Sequence, residues 1–222
     1  MTVSTETNSV APAAEPASSP PRPRLRFGLG WLAGALVLGL LVGLAGAFLA
    51  LQLRTPGDDS AEAGFLRDMS THHAQAVEMS MIVHTRSTNA AIVPLSSDIA
   101  LTQQAQIGYL QAWLRDWGLS PTGSQPAMAW MPDSAGAVVN GLMPGMATPE
   151  QLAALRKATG KDLDVMFLTL MRQHHLGGIH MAQEVLAQSD EADVTWLAQR
   201  MVANQQGELT VIDDLLRQLQ AA

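Results

Sequence analysis

Cysteine is absent from the 222 residues, which removes disulfides, thiolate zinc sites, iron–sulfur clusters and cysteine nucleophiles together. Any transition-metal site must therefore use histidine, methionine or oxygen. There is also no Glu-x-x-His, the signature that a carboxylate-bridged di-iron centre wants on two of its helices. A nucleotide-binding glycine loop, a nucleophile elbow and a His-Glu-x-x-His zinc motif are missing too, so kinase and hydrolase chemistry has no residues to rest on. Strand-type alternation does not occur. With 47% hydrophobic and only 5% aromatic residues, the chain can bury one ordinary core, and one folded domain with accessory segments is expected.

Charge is missing altogether from residues 27–53, a run rich in Leu, Ala, Gly and Val. As a helix it reaches roughly 40 Å, more than the ~30 Å hydrocarbon layer requires, and it reads as a transmembrane helix. Arg22, Arg24 and Arg26 precede it and Arg54 follows, which places the N-terminus in the cytoplasm and residues 55–222 outside. A cleaved signal peptide, with a small-residue site at Ala45-Gly46-Ala47, is the competing reading, and it would give a secreted protein. Residues 1–26 are expected to be a disordered cytoplasmic tail and 54–59 a linker. Residues 55–222 hold nine Lys or Arg against eighteen Asp or Glu, a formal charge of −9, which disfavours nucleic acid and attracts cations.

What the remainder does have is a repeat. Phe65-Leu66-x-x-Met69-x-x-His72-His73 recurs 102 residues later as Phe167-Leu168-x-x-Met171-x-x-His174-His175. The offset also matches Met79 with Met181, Val83 with Val185, and Gln103-Gln104 with Gln205-Gln206. Helices are expected over about 60–87, from Ser96 or Ser97 to Trp117, over about 162–188 and over about 193–220, with Asp59-x-x-Glu62 as a capping box for the first. Residues 60–117 thus form one hairpin and 162–220 its copy. A proline- and glycine-bearing crossover, 118–161, joins them and holds a short helix opened by Thr148-Pro149-Glu150-Gln151. This is an all-α, ferritin-like four-helix bundle over 60–220.

A helical wheel centred on Met69 puts Phe65, Leu66, His72, His73, Ala76, Met79 and His84 on one face, and Met171, His174, His175, Gly178 and Met181 repeat it. The primary metal candidates are Met69, His72, His73, Met171, His174 and His175. Gln103 and Gln205 lie on the apolar stripes of the second and fourth helices. Gln106 and Glu208, at the stripe edges, can bond the outer nitrogen of a ligating imidazole. Accessory candidates are Met79, His84, Met181 and the crossover pairs Met128 with Met131 and Met143 with Met146. His180 faces away from Met171, beside Glu184, as a surface pair or peripheral site. Thioether and imidazole together suit copper, as Cu(I) or Cu(II), with zinc or iron as alternatives. The competing reading makes the histidines hydrogen-bonded core residues and the methionines packing.

The paired Phe-Leu-x-x-Met-x-x-His-His phrases, followed about thirty residues later by Gln-Gln-x-Glu/Gln-Ile/Leu, resemble the bacterial ferritin-like family catalogued as domain of unknown function 305. The resemblance spans about 60–220 and includes Met143-Pro144-Gly145-Met146. It implies a four-helix fold, export or membrane anchoring and, for some members, copper binding in periplasmic metal resistance. The same six Met and His positions are the ones to which it points, with Gln103, Gln106, Gln205 and Glu208 matching the later motif. Gln106 departs from the acidic residue usual there. The expectation is a membrane-anchored extracytoplasmic protein that binds copper for buffering, delivery or resistance rather than a catalyst. A structural or partner-binding bundle and a di-iron-type oxidase are the alternatives, and a homo-oligomer stays open.

Overall fold

The structure, a computed structural model, describes residues 28–52, 55–132, 134 and 136–221. The expected tail over 1–26 lies outside the described residues. Six helices and no strand are found among them: α1 Leu29–Gln52, α2 Ala61–His84, α3 Ile92–Asp116, α4 Pro149–Lys157, α5 Gly160–Gln188 and α6 Ala192–Ala221. The chain divides into two units, Met1–Leu53 and Arg54–Ala222.

In the first unit, α1 spans 24 residues, about 36 Å of helix. Its stretch Gly30–Ala50 is long and apolar enough to cross a membrane, and its large side chains, among them Leu36 and Phe48, are exposed. An anchor and a signal sequence both fit that description.

The second unit is a bundle in which α2 packs on α3, α5 packs on α6, and α2 crosses α5, with α4 against α2 and α5. Two local starts differ from the sequence reading. The cap of α2 is Ser60, which accepts from the Ala63 amide at 3.1 Å, while Asp59 instead accepts from Gln125. Helix α3 begins at Ile92, so Pro94 sits inside its first turn rather than before it. Proline is tolerated there because a first-turn N–H has no helical partner to lose. Thr148 does form the full capping box with Gln151 at the start of α4.

Two apolar clusters fill the bundle. One gathers Phe65, Leu66, Met69, Met128, Met131, Met143, Met181 and Met201, and the other Met79, Val83, Phe167, Leu168 and Met171. Because Met69 shares a cluster with Met181 and Met79 with Met171, the start of α2 lies beside the end of α5. The histidine pairs, between these methionines in sequence, fall at the crossing.

The crossover is stapled to α2. Asp68 accepts from the Met128 amide at 2.7 Å and from the Trp130 indole at 2.8 Å, and Arg67 donates to the Ser120 carbonyl and to Asp58. Burial pushes the Asp68 carboxyl above its usual range, and these two donors work against that shift. Hydrogen bonds to a carboxylate contribute about 1.5–3 kcal/mol. Asp68→Ala is therefore expected to cost about 2–4 kcal/mol of unfolding free energy, and to change the near-ultraviolet signal of Trp130 before the far-ultraviolet helix signal, in urea melts followed at both wavelengths.

Candidate metal centre

The four paired histidines are all fully buried. His72 and His174 stack across the α2–α5 crossing, with ring centroids 3.8 Å apart and planes tilted by 34°. Each imidazole uses its Nε2 on a different partner. His72 donates to the Pro144 carbonyl at 3.1 Å and His174 to the His72 carbonyl at 2.9 Å. His73 donates to Gln106 Oε1 at 2.7 Å, and His175 to Glu208 Oε2 at 2.5 Å. Carbonyl and carboxylate oxygens only accept, so the proton is on Nε2 in every ring. The Nδ1 lone pairs are then the free face, and all four are buried without a hydrogen-bond partner.

Burial is the main reason that His72, His73 and His174 stay neutral. It lowers His72 to about 4 despite the Pro144 hydrogen bond, and lowers His73 to about 3 with help from the neighbouring His72. His174 also falls well below the ordinary value, through burial first and the surrounding imidazoles second. A neutral imidazole with Nε2 tied to an outer oxygen is the form that ligates a metal through Nδ1. Both amide atoms of Gln103 and of Gln205 are buried and unpartnered as well. Gln205 approaches α5 closely, since a Cβ on Gly178 would lie 2.6 Å from its Oε1.

Met69 and Met171 are fully buried in the cluster on either side, as are Met79 and Met181. In the crossover, Met128, Met131 and Met143 are buried against Met69 and Met181, and Met146 is half-buried on the same cluster. His84 stands apart, half-buried, with Nδ1 3.3 Å from the Val93 carbonyl. His180 is exposed on α5. Among the described residues no three His, Asp or Glu side chains are gathered to hold one ion. The buried groups left without a partner are imidazole Nδ1 atoms and glutamine amides, and fully buried methionines lie in the clusters on either side.

Asp68, Gln75 and Gly177 were not singled out by the sequence reading. Gln75 donates to the Ala147 carbonyl at 2.9 Å and accepts from the Ala147 amide at 2.6 Å, fixing the crossover beside the stacked rings. In the second copy Leu170 and Gly177 stand at the positions of Asp68 and Gln75, two of many differences between the copies.

The family described as "Domain of unknown function (DUF305)" matches residues 62–216. No curated protein sequence matches the chain. Among solved structures, a candidate secreted DUF305 protein from Streptomyces coelicolor is 41% identical, with a TM-score of 0.68 over 74% of this chain and 96% of its own. A DUF305 fragment from Deinococcus radiodurans is 28% identical, with a TM-score of 0.60 over 71% of this chain and 96% of its own. CopM in its Cu(I)-bound form is 19% identical, with a TM-score of 0.55 over 73% of this chain and 97% of its own. CopM has also been solved in Cu(II)-bound and Ag-bound forms. At that identity the likeness to CopM carries the fold alone.

The depressed histidines set a pH window. Folded pKa values lie below the unfolded 6.5, so at acid pH the unfolded chain binds protons that the native bundle refuses. Stability of the metal-free protein is complete above about pH 7 and is lost as pH falls from 6.5 toward 4, by several kcal/mol. Denaturant midpoints measured across that range should fall steadily, and less steeply in His73→Asn. A flat profile would mean that the rings titrate freely.

Proposed function

The chain belongs to the DUF305 family, and on that premise we propose that it is a membrane-anchored extracytoplasmic copper-binding protein that buffers or delivers the ion. The observation that carries this reading is the set of four buried imidazoles whose Nδ1 atoms meet no protein partner. A lone buried histidine is ordinarily satisfied on both nitrogens or left wet at one. Here four have Nε2 already bonded and Nδ1 buried without a partner, and two unpaired glutamine amides are buried as well.

Copper suits the neighbouring groups. Imidazole accepts Cu(I) and Cu(II), and the thioethers of Met69 and Met171, beside the rings in sequence, favour Cu(I). His72, His73, His174 and His175 would supply nitrogen. Glu208 and Gln106 would orient the rings through Nε2–H. The buried crossover methionines would offer a soft relay from the bundle end, and His84 and His180 would serve only peripherally. CopM, crystallised with Cu(I), Cu(II) and Ag, supports the choice of metal. The structural reading keeps two observations in its favour: the Nε2 of each paired histidine already has a protein partner, and among the described residues no three-residue cluster is formed. The di-iron reading finds no gathered carboxylates among the described residues.

Competition titrations of the full chain in detergent with Cu(I), Cu(II), Zn(II) and Fe(II) test this. Tight copper uptake should weaken by about 10–100-fold in His72→Ala and in His174→Ala, with zinc and iron bound less well. Absence of uptake favours the structural bundle, and oxygen consumption on adding Fe(II) would revive the oxidase.

For the anchor, the cell-associated protein should keep its full 23.6 kDa mass and sediment with membranes. A shorter, soluble product lacking α1 would make that helix a signal sequence.

A further inference from the structure

The two hairpins repeat in sequence, yet the crossover docks on them unequally. Where α2 carries Gln75, α5 carries Gly177, and both meet the same short turn. Gln75 holds Ala147 by two hydrogen bonds. At Gly177 a Cβ would lie 2.0 Å from the Pro144 carbonyl oxygen and 2.7 Å from its carbon. Gly145, at φ +83°, presses the other way, for its Cβ would lie 2.4 Å from the Gln173 carbonyl oxygen. Backbone meets backbone here, with no flexible side chain able to give way.

The same Pro144 carbonyl accepts the His72 Nε2 proton, whereas the symmetry-related His174 donates to the backbone of α2. Of the two stacked rings, one is therefore held by a helix and the other by the crossover. We propose that the turn at Pro144 and Gly145 is a positioning strap: it sets the His72 ring and controls exchange of a soft cation with the imidazole cluster. The gating part rests on the copper-binding reading above. Lifting the turn strips His72 Nε2–H of its acceptor inside an apolar layer, which keeps the open state scarce. It also uncovers the side of the crossing where Met143 and Met146 lie, so loss of an ion and displacement of the strap are one event. Gly177 and Gln75 are the residues through which strap docking is set.

The test uses the full chain, loaded with Cu(I) and mixed with a chromophoric Cu(I) chelator. Gly177→Ala forces the strap outward, Gln75→Ala removes its two hydrogen bonds, and Gly108→Ala, which has open space around its Cβ, is the matched control. Both strap variants should release Cu(I) about tenfold faster or more, as expected for the loss of a buried hydrogen bond. They should also raise hydrogen exchange at residues 143–147 and shift the ¹⁵N resonance of His72 Nε2 while leaving that of His175 in place. The control should match the wild type in all three. If exchange at 143–147 rises while release is unchanged, gating is overturned. If the His72 resonance does not move, positioning is overturned. Should the wild type take up no Cu(I), the functional reading falls, and the His72 resonance still decides whether the strap sets the ring. If Gly177→Ala does not fold, Gln75→Ala carries the same three readouts.

Discussion

Burying four imidazoles, each with an Nε2–H that needs an acceptor, is the constraint to which the rest of the bundle answers. A neutral ring has one N–H that must find an acceptor, and in an apolar interior an unmet donor costs about 1–3 kcal/mol. The four acceptors come from four different places: the crossover, α3, the backbone of α2, and α6. The contacts of α2 with α3, α5 with α6, α2 with α5, and α2 with the crossover thus each include one Nε2. A change at any of these contacts reaches the histidine layer directly.

The inward side of the layer has the opposite character. Four Nδ1 atoms and two glutamine amides lack protein partners, and the cost of leaving them so approaches the ~5–15 kcal/mol by which a domain of this size is usually stable. On the proposed reading the deficit is the function. A fold that carries such a deficit gains stability from any ion that binds the native state alone, and occupancy would raise the unfolding free energy with ion concentration. Burial between the methionine-rich clusters lowers the pKa of His72, His73 and His174, so these three stay unprotonated near neutral pH.

Periodicity and repetition made the helices and their buried faces legible. Phe65, Met69, His72 and His73 share one stripe because a 3.6-residue period allows nothing else, and the copy at 167–175 repeats it. Less legible were the helix starts. Asp59 and Ser60 are both good caps, and only the pull of Gln125 on Asp59 separates them. Ser96 or Ser97 read as the start of the second helix, yet α3 begins at Ile92 and accommodates Pro94 in its first turn, where no helical hydrogen bond is lost. The crossover contacts were hidden for a different reason. A wheel finds residues that face another helix, whereas Asp68 and Gln75 face an irregular loop with no period of its own. Asp68 against Leu170 and Gln75 against Gly177 are two among many positions at which the copies differ, so the repeat alone did not mark them.

Such differences bear on how a copied hairpin can come to hold an ion unequally. A perfect duplication would give two equivalent rings per layer, each ligand as strong as its mate. Here Glu208 stands behind His175 and the neutral Gln106 behind His73, so one outer partner can share negative charge with its ring and the other cannot. His174 is fixed by a helix and His72 by a loop. On the proposed reading α5 supplies the firm half of the site and α2 the yielding half. An ion would then leave by detaching from the α2 rings first, while α5 retains its grip. A buffer or delivery protein needs that order, because a site of four equal ligands binds well and releases slowly.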